Sequence, residues 1–195
     1  MPILANKYYF EEDFKDLTQE NENLSSASFE KCNFRNCNFQ KSKFEQVYFS
    51  DCTFEACNLS LSSFKLARFD NVKFVACKIL GVKWFKVATS MGFDVNFREC
   101  LLDFGNFSDL ILKKIDFSNS SLREAFFSGN DLTKSIFKST NLEGTTFHNC
   151  NLSSANFCKA LNYKIDFQTN NLKKAKFSLP EALTLLESLG VVIEI

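Results

Sequence analysis

Between Val95 and Phe177 a large apolar side chain returns at every fifth residue. The run reads Phe97, Leu102, Phe107, Leu112, Phe117, Leu122, Phe127, Leu132, Phe137, Leu142, Phe147, Leu152 and Phe157, then Phe167, Leu172 and Phe177; only Asn162 misses the beat. Two residues before each centre stands a small or compact side chain, as at Cys100, Gly105, Ser120, Ala125, Thr140 and Ala155. Ser, Asn, Lys, Glu and Asp fill most of the remaining positions. A period of five fits neither the 3.6 of a helix nor the 2 of a strand, so it marks a repeat. An earlier register runs through Leu24, Phe29, Phe34, Phe39, Phe44, Phe49, Phe54, Leu59, Phe64, Phe69, Phe74, Ile79 and Trp84. From Trp84 to Phe97 is 13 residues, which five does not divide, so residues 85–94 are predicted to loop out. Phe85 and Phe93 there either pack back on the coil or stay exposed.

The pattern resembles the pentapeptide-repeat family, with its consensus of Ala, then Asp or Asn, then Leu or Phe, then two free positions. The resemblance implies an all-β fold: a right-handed quadrilateral parallel β-helix, each pentapeptide making one side and four making a coil. Centre and small residue then point inward, and residues twenty apart stack. Phe97, Phe117, Phe137, Phe157 and Phe177 fall on one side, and Phe107, Phe127, Phe147 and Phe167 on the opposite one. Two Phe alternating with two Leu suits a square interior, which is expected not to hold four rings in one layer.

Five segments follow. Residues 1–23 are expected to form an irregular acidic N-terminal cap, with Phe14, Leu17 and Leu24 folded over the open edge. Residues 24–84 carry the first register, 85–94 the interruption and 95–177 the second register. Residues 178–195 form a C-terminal helix and tail. In that last segment Ser178-Leu179-Pro180-Glu181 reads as a capping box, and Gly190 as a stop. At Leu161-Asn162-Tyr163 the backbone is expected to bulge so that Leu161 or Tyr163 fills the space.

Composition narrows the chemistry. The 24 Phe are the outlier, and six Gly and two Pro are few for so much turning, so ordinary residues must make the corners. Seven of the eight Cys (Cys32, Cys37, Cys52, Cys57, Cys77, Cys100 and Cys150) occupy the small inward position and are read as reduced core thiols. No pair has zinc-type spacing. The single histidine, His148, points outward; no catalytic triad, metal cluster or phosphate loop is visible, and no cofactor is expected. The chain reads as a non-enzyme whose function sits on its outer faces. No signal peptide or membrane span is apparent, so a cytoplasmic location is expected.

The formal charge is zero, 23 basic against 23 acidic residues. One side nevertheless gathers Lys113, Lys114, Lys134, Lys173 and Lys174 against Asp131, and the opposite side Asp103, Glu124 and Glu143 against Arg123 and Lys164. The bland interpretation of Asp103, Arg123 and Glu143 is a surface charge ladder. The family resemblance implies more: a rod of about duplex width that mimics DNA, binds DNA gyrase or topoisomerase IV, and protects against quinolones or a toxin. Asp103, Glu124 and Glu143 would be its partner-binding acids. The resemblance also implies a homodimer through the C-terminal helix, with Leu183, Leu186, Leu189 and Val191 as candidate contacts. The alternative is an interaction scaffold or regulator with a partner other than a topoisomerase. Direct nucleic-acid contact is not expected from the balanced charge; a third reading would place it on the lysine side.

Overall fold

Residues twenty apart lie side by side in the computed structural model, which describes residues 2–90 and 92–187. Strands β1 (Tyr8–Phe10), β3 (Ser28–Glu30), β5 (Tyr48–Ser50) and β7 (Arg68–Asp70) form one parallel sheet, the first side of the coil. Strands β2 (Asp13–Lys15), β4 (Asn33–Arg35), β6 (Thr53–Glu55), β8 (Val72–Val75) and β9 (Val95–Arg98) form the second. Single bridges such as Asn38↔Asn58 and Leu101↔Ser121 build the third side. On the fourth, β10 (Phe126–Ser128) pairs with β11 (Thr146–His148). The fold is the quadrilateral parallel β-helix that the family resemblance implied.

Corners explain the scarcity of glycine. The residue two past most centres takes a left-handed φ, at Glu11 (54°), Lys31 (53°), Leu61 (60°) and Phe104 (62°) among others. That conformation costs about 1–2 kcal/mol for a residue with a Cβ. It is offset because each corner N–H is aimed at the next coil: Glu11 donates to the Glu30 carbonyl at 2.9 Å and Leu61 to the Leu80 carbonyl at 2.8 Å.

The small inward residues do more than leave room. Ser62 Oγ donates to the Phe39 carbonyl (2.8 Å), Thr140 Oγ1 to Phe117 (2.8 Å) and Asn130 Nδ2 to Phe107 (2.5 Å). Cys52 Sγ does the same toward Phe29 at 3.5 Å. These donors satisfy carbonyls of the neighbouring coil that a dry interior would otherwise leave short of partners. All eight cysteines are free thiols; Cys158 alone is not fully buried.

The interior does hold four rings in a layer, against expectation. Phe29, Phe34, Phe39 and Phe44 are all fully buried. Around that layer neighbouring rings meet edge to face, at 5.2 Å and 72°, 6.1 Å and 78°, and 5.4 Å and 86°. The inward companions there are Ala27, Cys32, Cys37 and Ser42, all small, which frees the needed volume. In the second register Leu112 is instead accompanied by the larger buried Leu110 and Ile115. Filled volume per layer, not ring number, is what close packing fixes.

Three further expectations change. Residues 8–15 are not an irregular cap: Tyr9 and Phe14 are buried centres of a regular coil, and Tyr9 stacks on Phe29 at 5.1 Å. The beat simply continues backwards from Leu24. The open edge is covered by buried Ile3, whose backbone is held by Gln19 through both amide groups at 2.7 and 2.9 Å. Across residues 85–94 the register offset lengthens, Phe74 pairing with Phe97, so the loop absorbs three extra residues. Phe93 there is buried against Phe69, and Phe85 is exposed.

Near the C-terminal end Phe167 leaves its column and is 39% exposed. Tyr163 and Ile165 are buried in its place, while Leu161 and Asn162 face out. Asp166 Oδ1 accepts the amide of Gln168 at 2.7 Å, the same turn that Asn156 makes with Cys158 beside buried Phe157, so the outward ring follows the bulge that puts Tyr163 and Ile165 inside rather than this turn. The expected capping box is also absent. Ser178 Oγ accepts the Lys159 amide at 2.8 Å, and no side chain caps the 3₁₀ turn Glu181–Leu183. Helix α1 (Thr184–Glu187) follows it.

Candidate interaction surface

The core is filled along its whole described length, so the outward residues carry the accessible chemistry. Among the described residues no group of three His, Cys, Asp or Glu side chains could hold a metal, and no helix is long and apolar enough to cross a membrane.

The three candidate acids separate. Asp103 is only 3% exposed. Its Oδ2 accepts from Arg123 Nε (3.0 Å) and Nη2 (2.9 Å), and its Oδ1 from the Arg123 amide (2.9 Å) and Ser121 Oγ (2.5 Å). The hydrogen bond to this carboxylate raises the Arg123 pKa further above its ordinary value. Asp103 is therefore a structural anion rather than an available one. The cause is the repeat itself: positions twenty apart are adjacent, and Arg follows Asp by twenty. Glu124 and Glu143 remain exposed on the same side. Glu143 borders a hollow of about 600 Å³, which is also lined by Thr145, Phe147, Tyr163, Lys164 and Asp166. Burial pushes Tyr163 there up to about 12.

Of the candidate dimer contacts, Leu186 is exposed and Leu183 half-buried; Leu189 and Val191 lie outside the described residues. On the lysine side, Lys113 Nζ reaches Asp131 at 3.1 Å, and Lys114, Lys134, Lys173 and Lys174 are exposed. His148 is exposed and contacts its neighbour Asn149.

Sequence reasoning passed over an aromatic group on the first side. Tyr8, Phe10 and Tyr48 are 57, 45 and 37% exposed, and the Tyr8 and Phe10 rings stack at 6.5 Å. Tyr8 Oη donates to Glu30 at 2.8 Å, which raises its pKa. Extending the five-residue beat back to Tyr9 would have shown both neighbours pointing outward.

A profile of the "pentapeptide repeat region" matches residues 27–107, and one of "pentapeptide repeats (8 copies)" matches residues 111–149. No curated protein matches the sequence. Among solved structures, a trypsin-treated form of QnrB1, a plasmid-mediated fluoroquinolone resistance protein, aligns with a TM-score of 0.74. It is 16% identical over 96% of this chain and 99% of its own. A second trypsin-treated form aligns at 0.66, with 18% identity over 99 and 100%. HetL of the cyanobacterium Nostoc, a protein of heterocyst differentiation regulation, aligns at 0.45 with 16% identity over 86 and 85%.

Proposed function

Because the chain belongs to the pentapeptide-repeat family, we propose that it is a non-catalytic binding protein acting through the outside of its coil, with DNA gyrase or topoisomerase IV as the partner. On this reading it occupies part of the enzyme's duplex track and protects it from a quinolone or a toxin. The supporting observation is the shared fold with a fluoroquinolone resistance protein over nearly the full length of both chains. Glu124 and Glu143 are the exposed acids left to stand for phosphates. Two copies meet through the C-terminal turn, with Leu186 presented to solvent.

The test is gyrase supercoiling with a quinolone titrated in, with and without the full chain. Protection that weakens in Glu124→Lys with Glu143→Lys is the expected result. Absence of both inhibition and protection at micromolar protein refutes the reading.

The neutralised Asp103 favours a second reading, a scaffold whose protein partner is not a topoisomerase. Aromatic anchors dominate protein interfaces, and Tyr8, Phe10 and Tyr48 are exposed together on one side. In that case the supercoiling assay is silent with every variant.

A further inference from the structure

The zero net charge conceals a segregation along the rod. On the first and second sides of the last three coils stand Lys134, Lys138, Lys159, Lys173, Lys174 and Lys176, all exposed. Among the described residues none of the six is in an ion pair. The one acid on these two sides of these coils is Asp131, already engaged by Lys113 and by the Thr133 hydroxyl at 2.6 Å. Glu143 and Asp166 belong to the third and fourth sides. Thr133 and Lys134, then Ser153 and Ser154, then Lys173 and Lys174 occupy the same two positions on successive coils, as the pairing Asp131↔Asn151↔Asn171 requires. At a rung of about 4.8 Å, Lys134 and Lys174 root about 10 Å apart along the axis.

We propose that this flank docks the phosphodiester backbone of duplex nucleic acid. What lies between the lysines decides the class of partner. It is mostly Thr, Ser and Asn, with half-buried Ile136 and Cys158 among them and exposed Leu179 at the end, and there is no exposed aromatic side chain on either side past Ile111 among the described residues. A protein partner is held by buried aromatic or Arg anchors, which this face lacks. Phosphates are contacted by Lys, Ser, Thr and Asn, which it presents in rows. The interaction is independent of base sequence, because a flat, rigid sheet surface puts nothing into a groove. The expectation of no nucleic-acid contact, drawn from the balanced total, averaged over charges that the coil keeps apart. The inference does not rest on the topoisomerase reading, whose acids lie on the third side.

The test is fluorescence anisotropy of a labelled duplex of about 20 base pairs with the full chain, from about 50 to 300 mM salt. Six phosphate contacts set an upper bound of about −5 on the slope of log K against log salt, and binding at low salt with a slope between about −3 and −5 is expected. Lys173→Gln, Lys174→Gln and Lys176→Gln together should flatten it by about 2.7. Lys41→Gln, Lys43→Gln and Lys65→Gln together, on the other sides, should leave it unchanged. All these side chains are exposed, so circular dichroism should be unaltered. No binding at about 50 mM salt, or equal flattening by both triples, overturns the proposal. Displacement of the duplex by poly-glutamate at equal charge overturns it too, assigning the face to an acidic protein.

Discussion

Phe137 and Phe167 hold the same place in the repeat, yet the fold treats them oppositely, which makes Phe137→Ala and Phe167→Ala a sharp pair. Phe137 is fully buried. Its ring stacks between Phe117 (5.2 Å) and Phe157 (4.8 Å) and meets Phe127 and Phe147 edge-on at 89° and 88°. Removing it forfeits the transfer free energy of the ring and leaves a cavity that stacked coils cannot collapse, about 3–5 kcal/mol in comparable cores. Each aromatic pair adds roughly 0.5–1.5 kcal/mol, not additively, which points to the upper half of that range. Phe167, being 39% exposed with no ring partner among the described residues, should cost about 1 kcal/mol or less. Urea unfolding followed by far-UV circular dichroism reads both, as a shift in midpoint at constant slope. Solenoids unfold in segments when one coil is weakened, so loss of a single transition in Phe137→Ala would itself report a broken column. Equal destabilisation by the two substitutions would falsify the placement of Phe167 and the packing argument with it.

The thiols give a second check: iodoacetamide on native protein should modify Cys158 and spare the other seven of the eight, all reacting in urea. The Cys100 thiol, followed by burial, pushes Cys77 up to about 12 from 9.0. Its neutral form is therefore favoured by folding, and the stability this contributes is complete below pH 9.0 and lost as pH rises toward 12. Cys77→Ala should flatten the alkaline limb of a stability profile over that window; an unchanged limb would refute the assignment. Asn130→Ala removes the amide donor to two buried carbonyls, those of Phe107 and Leu110, and should cost about 1–3 kcal/mol in urea, against less than about 0.5 for exposed Lys138→Ala. Asp103→Ala should lower the melting temperature and Glu124→Ala should not, since only the first leaves Arg123 and Ser121 without their acceptor.

A five-residue beat fixes which side chains share a dry column, and that geometry is local enough to be written in the sequence. The inward thiols and the loop before Phe97 follow from counting, and the parallel coil from the family resemblance that the count carries. What counting cannot do is add volumes or follow hydrogen bonds between coils. Four rings fit around Phe29 because their neighbours are small, and Phe167 turns out where a local bulge gives the interior to Tyr163 and Ile165. Counting by twenties set Asp103 in a ladder with Arg123 and Glu143, but as a surface ladder. Only the tertiary structure shows that Arg123 and the Ser121 hydroxyl together hold this acid in the wall. Sequence thus decided the architecture through periodicity, whereas the tertiary structure decided which charges remain for a partner, because a charge's availability depends on what lies one coil away.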